Sequence, residues 1–303
     1  MSTSTLKDLP SSNQQKIIHV GTANFNKSYG FGKRSSTFQI NDIGKLLSEV
    51  GNNENLFLET SQSYAGVEEL IEKNARGKLS SKITMKISPN KNDTDFSIVN
   101  TVKKSLKKFG QENFYCVMIH NPEVLSCENS NEIMQGLVEC LKLGLTKKLG
   151  ISSYESEQIV QLKTRFPDLN TFQINENVLD QRNRNNKDLI SLSQDSNMIF
   201  VRSIFLQGNL LVDYLNISEI LLPQKEVFKK FIDLCDRNKV PQIKCCLDYA
   251  RQILWSSGIV VGINKYTDLI EIMENYSNPI AISDFSTEVL NSLYSDPRNW
   301  VNL

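Results

Sequence analysis

Long apolar runs are missing from this 303-residue chain, and so is any excess of charge of one sign. No stretch approaches the ~18–20 apolar residues of a membrane helix, so no membrane span is expected. Lys plus Arg and Asp plus Glu stand at 34 each, which removes the electrostatic case for nucleic acid as a partner. Histidine is scarce, with two in the chain, and none of the six cysteines forms a CxxC pair. No metal site is expected from such a set, and the cysteines read as free thiols in a reducing compartment. The first fifteen residues are polar and lack the apolar core of a secretory signal. They are expected to be a flexible tail on a cytoplasmic protein, with 16–303 as one domain. A GxGxxG turn is also absent, which argues against a doubly wound dinucleotide-binding fold.

What is present is alternation. Short apolar runs at 16–20, 56–58, 82–87, 114–119, 146–151, 170–174, 198–203 and 258–262 read as strands. Amphipathic stretches at 41–50, 66–76, 95–109, 130–143, 155–165, 185–194, 224–238, 242–255 and 266–275 read as helices, with a short one near 286–294. Short strands alternating with amphipathic helices make parallel βα units. Eight units in ~250 residues have the size of a (β/α)8 TIM barrel. The one sizeable interruption is 204–224.

In such a barrel the chemistry lies at the C-terminal ends of the strands. Strand two, in LFLETSQSYAG, delivers Glu59 and then Tyr64. Strand three delivers Lys86 and strand four His120. A phenol, with its ordinary pKa near ~10, is a poor proton donor at neutral pH. An ammonium ~4 Å away, at an effective dielectric of ~20, stabilises the phenolate by at most roughly 4 kcal/mol. Lys86 can therefore make Tyr64 an acid, Glu59 can hold Lys86 charged, and His120 can hydrogen-bond a substrate oxygen. No side chain of this set donates hydride, so a reduction needs a nicotinamide cofactor. An aldolase or isomerase using Lys86 as a Schiff base is a competing reading of the same barrel. No second catalytic lysine or phosphate-binding Gly loop supports it.

The motifs together resemble the aldo-keto reductase superfamily. They are GTANF, ETSQSYAGVEELI, KITMKISP, VMIHNPE, GLTKKLGISSY, TFQINENVLDQR, VRSIFLQGNLL and IVVGINKYTDL, in order over residues 16–275. The resemblance implies a (β/α)8 barrel that reduces aldehydes or ketones with NADPH or NADH and no metal. It implies Tyr64 as general acid, Lys86 as its partner and His120 as the orienting residue. The family's fourth member is an aspartate; here Glu59 stands in its place. Ser152, Ser153 and Gln173 match the positions that hold the nicotinamide amide. Arg202 stands where the family often stacks an aromatic on the nicotinamide, with Ser203 beside it. Gly208 and the 205–224 segment are implied to cover the pyrophosphate, and Gly262, Asn264 and Lys265 to meet the adenosine phosphates. The VRSIFLQG segment resembles a bacterial branch often found among surface-polysaccharide genes, so a sugar-derived carbonyl is the implied small-molecule substrate. The alternative is a low-turnover, cofactor-binding sensor or regulatory barrel, motivated by Glu59 and Arg202. Phe25, Tyr29, Phe31, Tyr294 and Trp300 are candidate pocket aromatics. No coiled coil or long apolar edge sets an oligomeric state.

Overall fold

The short apolar runs pair in sequence order, because each parallel strand needs a helical crossover before the next can be laid beside it. A computed structural model describes residues 16–26, 38–75, 79–280, 282, 284–285 and 287–302. The expected tail at 1–15, and Tyr29 and Phe31, lie outside the described residues.

The strands are β1 (Ile17–Gly21), β2 (Leu56–Ser61), β3 (Ile83–Ile87), β4 (Cys116–Ile119), β5 (Leu149–Ser152), β6 (Thr171–Asn175), β7 (Met198–Arg202) and β8 (Gly258–Gly262). Each pairs in parallel with the next, and β8 closes on β1 through Gly262↔Gly21. The result is a (β/α)8 barrel. Closure needs a bare backbone at Gly258, where a Cβ would collide with the Ile17 carbonyl.

The crossovers are α1 (Ile43–Asn52), α2 (Val67–Ala75), α3 (Asp95–Phe109), α4 (Ser130–Lys142), α5 (Ser156–Arg165) and α6 (Lys187–Gln194), followed by α7 (Lys225–Asn238) and α8 (Gln242–Arg251) as a pair, then α9 (Tyr266–Ser277). Local chemistry sets their ends. Thr94 and Ser97 form a reciprocal capping box at the start of α3, and Gly110 ends it in the left-handed region at φ 61°. The apolar faces pack on one side of every strand. Val20, Leu58, Met85, Ile119, Ile151, Ile174, Val201 and Ile259 all join this continuous core. Alternate residues turn inward. The barrel floor holds His19, whose ring lies 4.3 Å from Phe200, 5.4 Å from Phe57 and 6.0 Å from Tyr115.

Several boundaries differ from the sequence expectation. Strand β2 continues past Leu58 to Ser61, pairing Thr60↔Met85 on the helix-facing side and Ser61↔Lys86 on the inward side. The ladders of β4 and β5 start later than expected, with Phe114 and Thr146 joined by an isolated bridge below them. Helix α8 stops at Arg251 rather than 255. The expected C-terminal helix shrinks to α10 (Ser292–Ser295), capped by Asn291 and stopped at Asp296, the residue before Pro297. Segment 204–224 folds mainly as two 3-10 turns, 206–211 and 219–224.

Candidate active site

Strands β2 and β3 are neighbours, so Glu59 and Lys86 open onto the same part of the barrel interior. Their side chains form an ion pair and are almost wholly buried. Gly21 stands opposite Glu59 in β1; a Cβ there would lie 3.4 Å from Glu59 Oε2, an ordinary contact. Beyond β2 the chain turns tightly, with the Tyr64 N–H donating to the Ser61 carbonyl at 3.0 Å. This turn brings the Tyr64 ring over the barrel mouth, its centroid 5.7 Å from Lys86 Nζ.

His120 leaves β4 with its backbone N–H donating to the Ile87 carbonyl at 2.8 Å. Its ring stands edge-on to Tyr64, with centroids 6.3 Å apart and planes at 85°. Nδ1 lies 3.2 Å from Ser61 Oγ. Burial, then the charges of Lys86 and Arg202, hold the imidazole down to a pKa of about 4. At neutral pH it is therefore uncharged, with one N–H to give.

A second polar group lies across the mouth on β5, β6 and β7. Ser152 pairs with Gln173, and Asn175 with Arg202. Gln173 is fully buried, yet among the described residues neither its amide nitrogen nor its oxygen has a hydrogen-bond partner. Ser153 is turned toward α5, donating to Gln158 Oε1 at 2.6 Å and accepting from the Glu155 N–H at 3.0 Å. Arg202 donates from Nη2 to the Ser153 carbonyl at 3.3 Å, and its guanidinium lies 4.1 Å from the Tyr154 ring centroid. Ser203, at φ 62°, donates to Asn175 Oδ1 at 3.2 Å. Gly208, at φ 87°, lies in the 206–211 turn. At the end of β8, Gly262 is exposed, and Asn264 accepts from Asn24 Nδ2 at 2.6 Å. Lys265 precedes α9, with its ammonium 4.0 Å from Asp268. Among the described residues, no group of three His, Cys, Asp or Glu side chains could hold a metal ion, and no helix is long and apolar enough to cross a membrane.

The profile of the aldo/keto reductase family matches residues 17–288. The chain belongs to the aldo/keto reductase family. No curated protein matches it. Among solved structures it is similar to aldo-keto reductase AKR11C1 from Bacillus halodurans, in its holo form, at 14% identity and a TM-score of 0.66, covering 92% of this chain and 95% of that one. It is also similar to the thermostable aldo-keto reductase Tm1743, solved with the inhibitor epalrestat, at 15% identity and a TM-score of 0.66, covering 88% and 91%. The protein PA4992 of Pseudomonas aeruginosa follows at 15% identity and a TM-score of 0.60, covering 89% and 93%. These similarities are of fold; the profile carries the family. Membership makes the chain a carbonyl oxidoreductase in general terms, of a family that uses nicotinamide cofactors.

Within this family member, Glu59, Lys86, Tyr64 and His120 come together, as do Ser152, Gln173, Arg202 and Ser203. Three relationships escaped the sequence reading. Ser61 meets His120, which no periodicity signals. Tyr154 lies between two guanidiniums, with Arg202 at 4.1 Å and Arg298 at 3.9 Å from its centroid. Glu176, fully buried after β6, accepts from Tyr249 Oη at 2.5 Å and the Asn183 N–H at 3.0 Å. Burial raises its pKa to about 8; its place directly after Asn175 at a strand end was the available signal. Of the candidate pocket aromatics, Phe25 is buried and stacked on Phe38 at 4.6 Å, and Trp300 is buried with its indole N–H on the Tyr294 carbonyl.

The orphaned Gln173 amide also tests the fit of the cofactor. A buried carboxamide with both a donor and an acceptor unmatched is complementary to another carboxamide. Nicotinamide carries that group.

Proposed function

We propose that the protein is an NAD(P)H-dependent reductase of aldehydes or ketones, with Tyr64 as the general acid. The observation that carries this function is the buried Glu59–Lys86 ion pair, whose ammonium lies 5.7 Å from the Tyr64 ring centroid. A nicotinamide cofactor, when bound, supplies the hydride. Gln173 and Ser152 would hold its carboxamide, Ser203, Gly208 and the 206–211 turn its pyrophosphate, and Gly262, Asn264 and Lys265 its adenosine end.

The chain's own part is proton transfer and orientation. The neutral His120 imidazole donates a hydrogen bond to the substrate carbonyl oxygen and fixes its direction. As a hydride adds to the carbonyl carbon, the π electrons move to oxygen and the Tyr64 hydroxyl gives that oxygen its proton. The resulting phenolate is stabilised by the Lys86 ammonium, and Glu59 keeps that ammonium charged and in place. Solvent returns a proton to Tyr64. Ser61 steadies His120 through Nδ1.

The substrate proposed is a small sugar-derived carbonyl, on the VRSIFLQG segment (201–208) alone. A cytoplasmic location is proposed from composition. The test is NADPH and NADH oxidation, followed at 25 °C with a panel of simple aldehydes and open-chain sugar carbonyls. Cofactor-dependent turnover with any of them supports the proposal. A protein that binds neither cofactor contradicts it.

A further inference from the structure

The cation at residue 202 is the least explained charge at the barrel mouth. Glu59 neutralises Lys86, and His120 is uncharged. No carboxylate pairs with Arg202 among the described residues, although carboxylates do pair with Arg182 and Arg298 nearby. Glu176 on the adjoining strand end, whose backbone N–H donates to the Arg202 carbonyl at 3.3 Å, has its carboxyl engaged with Tyr249 and Asn183 and raised to a pKa of about 8 by burial. Among the described residues, Arg202 Nε is buried with no acceptor. The guanidinium is nevertheless held firmly. Ser153 takes one N–H, Tyr154 covers one face, and Arg298 backs Tyr154 from its other contact while tied to Asp296 and Glu155. A fixed, uncompensated positive charge thus stands on the strand beside Gln173, one inward position above it in the parallel register.

A carboxamide ligand seated on Gln173 brings its ring next to that charge. The nicotinamide ring is neutral when reduced and carries a full positive charge when oxidised. A cation held beside it repels the oxidised form and is indifferent, to first order, to the reduced one. At an effective dielectric of ~20, a unit charge several ångströms away shifts such an equilibrium by roughly ten- to a hundredfold. We infer that Arg202 discriminates between the redox states of the cofactor, so that the enzyme binds NAD(P)H and expels NAD(P)+. The inference rests on the nicotinamide-dependent reduction proposed above. Its consequence is weak product inhibition by the oxidised cofactor and ready exchange after each turnover. The stack through Tyr154 and Arg298 makes the C-terminal segment part of the device, since it fixes where the charge stands.

Equilibrium binding separates this from activity. Dissociation constants for NADPH, NADP+, NADH and NAD+ are measured by fluorescence quenching and calorimetry for the wild-type protein, Arg202→Gln and Arg202→Lys. The wild type is expected to bind the reduced form at least about tenfold more tightly than the oxidised form. Arg202→Gln should reduce that ratio by about tenfold, mostly by tighter binding of the oxidised form, while Arg202→Lys should keep most of it. A ratio unchanged in Arg202→Gln, or lost equally in both variants, overturns the inference and leaves the reductase proposal standing. A wild type that prefers the oxidised form also overturns it. No binding of any of the four overturns the reductase proposal and this inference together.

Discussion

Glu59 on β2 and Lys86 on β3 form a buried ion pair, with Gly21 of β1 opposite Glu59 in the register. Glu59→Gln leaves the ammonium buried and unpaired and should destabilise the protein by about 3–5 kcal/mol, read from urea midpoints. Glu59→Asp withdraws the carboxylate from Lys86 and should lower kcat/KM by up to about 10²-fold. A gain in rate for Glu59→Asp would show that the native pair is detuned.

His120 carries a second prediction. Its pKa is held to about 4 by burial and by the charges of Lys86 and Arg202. An imidazole that must be neutral to hold the substrate should then work well below the usual histidine range near ~6.5. Initial-rate kcat/KM should stay level from pH 7 down to about 5 and fall as pH approaches 4. An acid limb centred near pH 6.5 would contradict a half-buried, cation-flanked His120.

Glu176 makes stability pH-dependent in the opposite sense. Its folded pKa, about 8, lies above the ordinary value of 4.5. Between these values the native protein holds a proton that the unfolded chain has released. Raising pH through that window therefore removes stability, by about 1.4 kcal/mol per pH unit. Glu176→Gln keeps the amide's acceptor and cannot ionise. Its stability relative to wild type should rise steadily from pH 5 to 8 and level off above 8. A difference independent of pH would show that Glu176 is ionised throughout.

Gln173 separates binding from folding. Its amide is fully buried and, among the described residues, has no partner. Gln173→Leu removes that unsatisfied group, so the cofactor-free variant should be at least as stable as wild type, with a gain of up to about 1–3 kcal/mol. The same variant should bind NADPH about tenfold or more weakly. A loss of stability with unchanged cofactor binding would make Gln173 a structural residue.

The barrel and its four central side chains were legible in the sequence for a definite reason. The two periodicities fix which residues are strands, and a parallel barrel sends every strand's C-terminal end to one face. Glu59, Lys86 and His120 then had to converge, and Tyr64 followed from the short turn after β2. Strand ends were less legible. The polar residues Thr60 and Ser61 that end β2 look like loop. Contacts made across the barrel mouth were invisible for another reason. Tyr154 and Arg298 are 144 positions apart in sequence, and only the return of the C-terminal segment over α5 brings them together. The partnering of Arg202 with Tyr154, rather than with an acid, likewise depends on side-chain directions that no spacing encodes.

The Tyr64 hydroxyl is the source of the proton in the proposed reaction. Tyr64→Phe removes one oxygen and keeps the ring beside Lys86 and His120. With NADPH and the best carbonyl substrate of the panel, its kcat should fall by at least about 10²–10⁴-fold, while the dissociation constant for NADPH stays within about threefold of wild type. Turnover persisting near the wild-type rate in Tyr64→Phe would contradict the account at its centre.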